Sequence, residues 1–151
     1  MKYYLLFLIL TFLIPGYSLN AQGKGNSKEL SRELLGTYEG HQPKYAMRNK
    51  DGGELVIGGN KVWVPACDYK FELKSKNKVT MSQLSEEKTK PYLYTGTYTI
   101  IKDDAEKIEI LCKVSLDKYT NPEYSLVIDK KEKSAICYGS NEPPFALIKK
   151  K

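Results

Sequence analysis

Alternation of apolar and polar side chains is the dominant pattern through most of this chain. In the stretch DYKFELK, residues 68–74, Tyr69, Phe71 and Leu73 share one face, whereas the charged residues share the other. The stretch KIEILCKV, residues 107–114, has the same period of two. This period is typical of half-buried β-strands, because successive side chains of a strand point to opposite faces of the sheet.

Turn signals divide the chain into eight or nine such strands of 4–10 residues. Gly58-Gly59-Asn60 predicts a hairpin, and Asp103-Asp104 predicts a tight turn. No pattern of a long connecting helix separates the strands, and consecutive strands usually lie side by side. The sequence therefore predicts an all-β fold, an antiparallel eight-to-nine-stranded meander barrel, with a β-sandwich as the alternative.

A short N-terminal helix is predicted before the first strand, in the stretch NSKELSRELLG. Asn26 is placed to cap it, with Glu29 three residues later, and Gly36 is placed to end it. Leu30 and Leu34 fall on one face of this helix. Two turns of helix are marginal in isolation, so we expect this apolar face to pack on the barrel.

The first 21 residues have the character of a secretory signal peptide. Lys2 is followed by an apolar run that Pro15-Gly16 interrupts, and Ala21 is a small residue at the expected cleavage site. Removal of residues 1–21 would leave a single domain, residues 22–151, with no membrane span. We therefore expect a secreted or periplasmic protein.

The net charge excludes few partners by itself. It is +6 for the whole chain, and it would be +5 without Lys2. The lysines are spread along the chain and include the clusters 70–78 and 149–151. Since export would separate the protein from nucleic acid, we expect no nucleic-acid partner, whereas an anionic envelope component remains an open alternative.

Candidate catalytic chemistry is sparse. His41 is the one histidine, so a hydrolase would need His41 to face a carboxylate or a thiol in a cleft. Cys67, Cys112 and Cys137 form no CxxC pair, which argues against a zinc or thioredoxin-type site. Three cysteines allow at most one disulfide, and whether one forms is left open. We predict a non-enzyme with no catalytic residues, no metal and no cofactor.

Aromatic residues are abundant, with twelve tyrosines, four phenylalanines and Trp63. Such residues suit a pleated, half-buried surface and would serve as core. Those at inward positions could also line a cavity, where a tyrosine offers an apolar ring and a hydroxyl that orients a ligand. The predicted ligand-binding residues are Tyr38, Tyr69, Phe71, Tyr94, Tyr98, Tyr124 and Phe145. Trp63, in a hairpin, is a candidate for outward contacts.

The stretch LLGTYEG, around Gly36 and Tyr38, resembles the lipocalin-like, or calycin, family. In that family a helical turn and a Gly-x-Trp strand close the narrow end of a ligand-binding barrel. This chain departs from the pattern, because Tyr38 replaces the tryptophan and only lysines, residues 149–151, follow near the C-terminus where an arginine is expected. A final helix is also missing. The family includes carriers, inhibitors and enzymes, so the resemblance implies a fold more than an activity.

Two functions follow from these patterns. The first is a non-enzymatic exported β-barrel that binds a small apolar or amphipathic ligand inside the barrel. The alternative is a protein- or polysaccharide-interaction module, or an inhibitor. It would act through the loops SEEKTKP and SLDKYTNP, Trp63 and a basic surface. Secreted lysozyme-inhibitor barrels are similar in size and strand pattern, which keeps this alternative open.

Overall fold

The computed structural model describes residues 28–140 and 142–151 of the chain. The predicted signal peptide, residues 1–21, and the predicted helix cap Asn26 lie outside the described residues. The strands, numbered in chain order, are β1 (Gly36–Gln42), β2 (Tyr45–Ala46), β3 (Val56–Ile57), β4 (Asn60–Lys61), β5 (Trp63–Val64), β6 (Cys67–Lys74), β7 (Lys78–Ser85), β8 (Tyr92–Asp103), β9 (Lys107–Ser115), β10 (Glu123–Asp129), β11 (Ser134–Gly139) and β12 (Phe145–Lys149).

Eight of these strands form a closed antiparallel barrel. Strand β6 follows β1 in the barrel, and each strand from β6 to β12 pairs with the next one along the chain. The barrel closes where β12 pairs with β1, with Tyr38 opposite Lys149 and Glu39 opposite Ile148. The predicted all-β meander barrel is therefore confirmed. Closure pairs both edges of the sheet, which removes unpaired strand edges from the barrel wall.

Each of the eight barrel strands contributes buried apolar side chains to the interior, on the inward face of its alternating pattern. Strand β6 shows the pattern clearly, since Tyr69, Phe71 and Leu73 are buried while Asp68 and Lys70 are exposed. Each fully buried side chain of this size stabilises the fold by about 1.5–3 kcal/mol relative to exposure. The most completely buried apolar residues are Tyr38, Phe71, Leu73, Val79, Met81, Tyr98, Ile110, Cys112, Leu126, Ile128, Cys137 and Leu147.

Residues 28–35 close one end of the barrel, which we call the plugged end. In the described part of the predicted helix the backbone forms a single turn, where the Leu34 amide donates to the Ser31 carbonyl at 2.9 Å. Leu30 and Leu34 are both buried in the core, as expected for the apolar face of the predicted helix. The Tyr38 hydroxyl donates to the Leu34 carbonyl at 2.9 Å, which fixes the plug to β1.

The opposite end, which we call the loop end, carries the longer connections. Residues 43–66, which we call the arm, join β1 to β6 and contain the four short strands β2–β5. At its tip, β3 and β4 form the predicted hairpin around Gly58 and Gly59, whose φ angles of 59° and 81° are favourable for glycine. Residues 86–91, 116–122 and 142–144 belong to the other connections at this end.

Candidate functional site

Aromatic rings pack against one another inside the loop end of the barrel. The ring centre of Tyr69 lies 4.7 Å from that of Phe145 and 6.1 Å from that of Tyr124. Phe71 lies below, with its ring centre 5.5 Å from that of Tyr124 in an edge-to-face arrangement. These separations are those of aromatic pairs in contact. The rings therefore form a core layer in this part of the interior.

A polar layer covers these rings on the side of the loops. The Gln83 side chain donates from Nε2 to the Tyr69 hydroxyl at 2.9 Å and accepts at Oε1 from the Tyr94 hydroxyl at 3.3 Å. Gln42, which is buried, donates from Nε2 to the Pro143 carbonyl at 3.1 Å. These amides use most of their polar atoms within the barrel, as buried polar groups generally do.

Glu142 differs from the two glutamines of this polar layer in its hydrogen bonding. Its Oε2 atom is buried and has no hydrogen-bond partner among the described residues. The carboxylate folds back over Gly139, where a Cβ atom would lie 2.8 Å from Oε2, so glycine makes room for it. Burial raises the pKa of Glu142, and the polar groups of Gln42 and Tyr69 partly oppose that rise. The Oε2 atom of Glu142 is thus a buried acceptor without a partner in the part of the chain that the structure describes.

The negative charge of Glu142 also affects the phenols around it. Burial raises the pKa of Tyr45 to about 12, and the charge of Glu142 adds to this rise. Burial likewise raises the pKa values of Tyr69 and Tyr124, to which Glu142 contributes. These phenols remain protonated at neutral pH. They can donate hydrogen bonds, but they are poor proton acceptors.

A cleft of about 390 Å³ opens beside Glu142 at the loop end. Its size falls in the range of small-molecule sites. Tyr45 and two prolines give it an apolar wall, Glu142 gives it an acceptor, and Arg48 and Lys50 add positive charge. The lining residues are Tyr45, Arg48, Asn49, Lys50, Gly52, Glu142, Pro143 and Pro144. Such a surface suits a small amphipathic molecule with a hydrogen-bond donor.

All seven residues predicted to bind a ligand are buried. They all belong to one hydrophobic core cluster, in which Tyr38 lies opposite Phe71 in the pairing of β1 with β6. The hydroxyls of Tyr38 and Tyr98 donate to the carbonyls of Leu34 and Lys74. The rings in mutual contact are those of Tyr69, Phe71, Tyr124 and Phe145, and the Tyr94 hydroxyl joins them through Gln83.

Sequence reasoning missed several residues of the cleft and of the polar layer. Gln83 was detectable, because it follows Val79 and Met81 at an inward position where an apolar residue is expected. Gln42 is a similar case, since it occupies an inward position of β1. Glu142 gives no such signal, because the segment that carries it has no periodic pattern.

His41 faces a carboxylate, as a hydrolase would require. Its Nδ1 lies 2.8 Å from Asp68 Oδ1 on the outer wall, and both side chains are largely exposed. In a catalytic triad the carboxylate is buried, so that it can stabilise the imidazolium that forms. Asp68 lacks that burial, and the one recorded hydrogen bond of the His41 ring within the described residues is this contact. The contact is a hydrogen bond between two exposed side chains on the outer wall.

The three thiols are buried and free. Burial raises the pKa of Cys112 to about 12 and also raises the pKa values of Cys67 and Cys137, which disfavours the reactive thiolate. No group of three or more potential metal-ligating His, Cys, Asp or Glu side chains occurs within residues 28–140 and 142–151. In the same ranges, no helix is long and apolar enough to cross a membrane.

Comparison with known proteins gives no match to a protein-family model, to a curated protein or to a solved structure. The resemblance of LLGTYEG to lipocalin-like proteins therefore stays a prediction. The cleft beside Glu142 is distinguished by its combination of a small-molecule-sized volume with a buried carboxylate oxygen that has no partner among the described residues.

Proposed function

We propose that this chain is an exported, non-enzymatic binding protein of lipocalin-like type that holds a small amphipathic ligand at the loop end of its barrel. The observation that carries the proposal is the buried Oε2 atom of Glu142, beside a cleft of about 390 Å³, for which residues 28–140 and 142–151 supply no hydrogen-bond partner. A buried acceptor without a partner costs about 1–3 kcal/mol. A ligand that donates to this oxygen would recover that free energy.

The surroundings of Glu142 define the kind of ligand. Pro143, Pro144 and the ring of Tyr45 would contact its apolar part, while its donor, such as an ammonium or a hydroxyl group, would point at the carboxylate. A hydrogen bond to a charged group contributes about 1.5–3 kcal/mol. The packed rings of Tyr69, Phe145 and Tyr124 favour this position at the mouth over one deep in the barrel.

Native mass spectrometry of the protein purified from its own host tests this function. We expect a second population, heavier than the chain by the mass of one small molecule. Replacement Glu142→Gln keeps the size of the side chain but removes its charge, so we expect occupancy to fall by roughly tenfold or more. The matched control is Glu132→Gln, in the tight turn 130–133 at the plugged end, which should leave occupancy unchanged.

Two results would contradict the proposal. One is a spectrum of the native protein that contains the ligand-free chain alone. The other is a bound molecule whose occupancy is equal in the native protein and the Glu142→Gln variant, since the ligand would then lie elsewhere.

The second candidate function is an interaction module or inhibitor for a protein or polysaccharide. It is favoured by the side chain of Tyr119, which is 86 % exposed in the loop 116–122, and by the half-exposed Trp63. Exposed aromatic residues of this kind are enriched at binding interfaces. Affinity capture with Tyr119→Ser as the comparison would test it, because this candidate requires the variant to lose the partner.

A further inference from the structure

The outer surface of the arm carries an unusual set of exposed apolar side chains. Val56 and Ile57 form strand β3 of the hairpin at the tip of the arm, directly before Gly58 and Gly59, and Ile57 is 65 % exposed. Trp63, in β5, is half-exposed on the same arm. Because Val56 and Ile57 directly precede the two-residue turn Gly58-Gly59, they stand at the tip of a hairpin.

The arm also carries positive side chains. The Lys44 ammonium lies 5.6 Å from the centre of the Trp63 ring, and Arg48, Lys50 and Lys61 belong to the same 24 residues. The arm contains four basic residues against two acidic ones. The Lys61 ammonium pairs with the Glu54 carboxylate at 2.6 Å. The positive charge of the arm therefore comes mainly from Lys44, Arg48 and Lys50.

We propose that the arm docks on an anionic lipid bilayer, with Val56, Ile57 and Trp63 entering the headgroup region. Tryptophan beside lysine and arginine is the composition found where proteins meet the boundary between water and acyl chains. Basic residues near an anionic leaflet are attracted by its negative surface potential. This inference does not depend on a ligand in the cleft, because these three side chains do not line it.

The shape of the tip favours lipid over a protein partner. A stable protein interface buries about 800 Å² on each side and needs a complementary surface. A bilayer instead accommodates single protruding side chains without a shaped partner. The positive charge of the arm adds to this preference, since a leaflet that contains anionic lipids carries a negative surface potential.

Trp63 is the one tryptophan of the chain, so its fluorescence reports directly on the arm. The experiment uses the protein in the form that accumulates in its own host. It is mixed with vesicles of equal parts phosphatidylglycerol and phosphatidylcholine, or of phosphatidylcholine alone. We expect the emission of Trp63 to shift to shorter wavelength with the first vesicles, and brominated acyl chains to quench it. We expect the shift to weaken as salt is raised.

A matched pair of variants locates the contact. Ile57 and Ile148 are equally exposed, at 65 %, but Ile148 lies on the barrel wall in β12. Ile57→Ser should weaken partitioning into the anionic vesicles by roughly tenfold, because burial of an isoleucine side chain contributes about 1.5–3 kcal/mol. Ile148→Ser should leave it unchanged.

The proposal is overturned if the emission of Trp63 is the same with and without anionic vesicles. It is also overturned if the vesicles bind the protein but Ile57→Ser and Ile148→Ser behave alike, because another surface would then make the contact. Glu142→Gln separates this inference from the proposed ligand function, since it should leave the vesicle shift intact.

Discussion

Gly96→Ala is expected to lower the free energy of unfolding by about 3 kcal/mol, which is the upper part of the usual range for overpacking. Gly96 lies in β8 between Val79 of β7 and Val114 of β9. A Cβ atom at this position would lie 1.9 Å from the backbone carbonyl oxygen of Lys113. A backbone oxygen cannot rotate away as a side chain can, so the two strands would have to separate.

Urea unfolding followed by circular dichroism measures this effect. Gly53→Ala is the control, because a Cβ atom there would meet only the Asn49 side chain, at 3.4 Å. We expect the control to change the free energy of unfolding by less than about 0.5 kcal/mol. Equal stability of the two variants would show that β8 and β9 do not approach each other as described.

Phe71→Ala is the second substitution with a large expected effect. Phe71 is completely buried, and the centre of its ring lies 5.5 Å from the centre of the Tyr124 ring. Loss of a buried phenylalanine ring removes its transfer free energy and leaves a cavity, which together cost about 3–5 kcal/mol. The same unfolding measurement detects this loss. Tyr119→Ala, which removes an exposed ring of similar size, should cost less than about 0.5 kcal/mol.

This second comparison also bears on the ligand position that the sequence suggested. Inward aromatic residues were predicted to line a cavity. If Phe71 instead lined an empty interior, its removal would cost little. A loss below about 1 kcal/mol for Phe71→Ala would therefore favour the interior site over the cleft at Glu142.

The alternation of apolar and polar residues predicted the barrel strands correctly, because each strand has one face in the core. The inward set of β6, with Tyr69, Phe71 and Leu73, follows from a period of two whatever the neighbouring strands are. The order of strands followed from short connections, which allow little besides a meander. The hairpin at Gly58-Gly59 was also predictable, because its turn needs positive φ at both residues.

The site was harder to predict because it depends on contacts between distant parts of the chain. The Gln42 side chain donates a hydrogen bond to the carbonyl of Pro143, which lies 101 residues later in the chain, and no local sequence pattern indicates this contact. The burial of Glu142 depends on the absence of a side chain at Gly139, which is visible only after folding. Local propensity likewise predicted two helical turns at residues 26–36, whereas the described part of this segment forms one turn that packs Leu30 and Leu34 on the barrel.

Titration of the Glu142 side-chain carboxyl carbon by NMR, with and without benzylamine as an amphipathic probe, tests the central claim most directly. Burial raises the pKa of Glu142, so the free protein should hold this proton to a pH above the ordinary value of 4.5. An ammonium beside the carboxylate favours its charged form, so saturating benzylamine should lower the pKa and release the proton. By linkage, the affinity for benzylamine should increase as pH rises through the pKa of the free protein. A Glu142 carboxyl that titrates at or below 4.5 and does not respond to benzylamine would contradict the account.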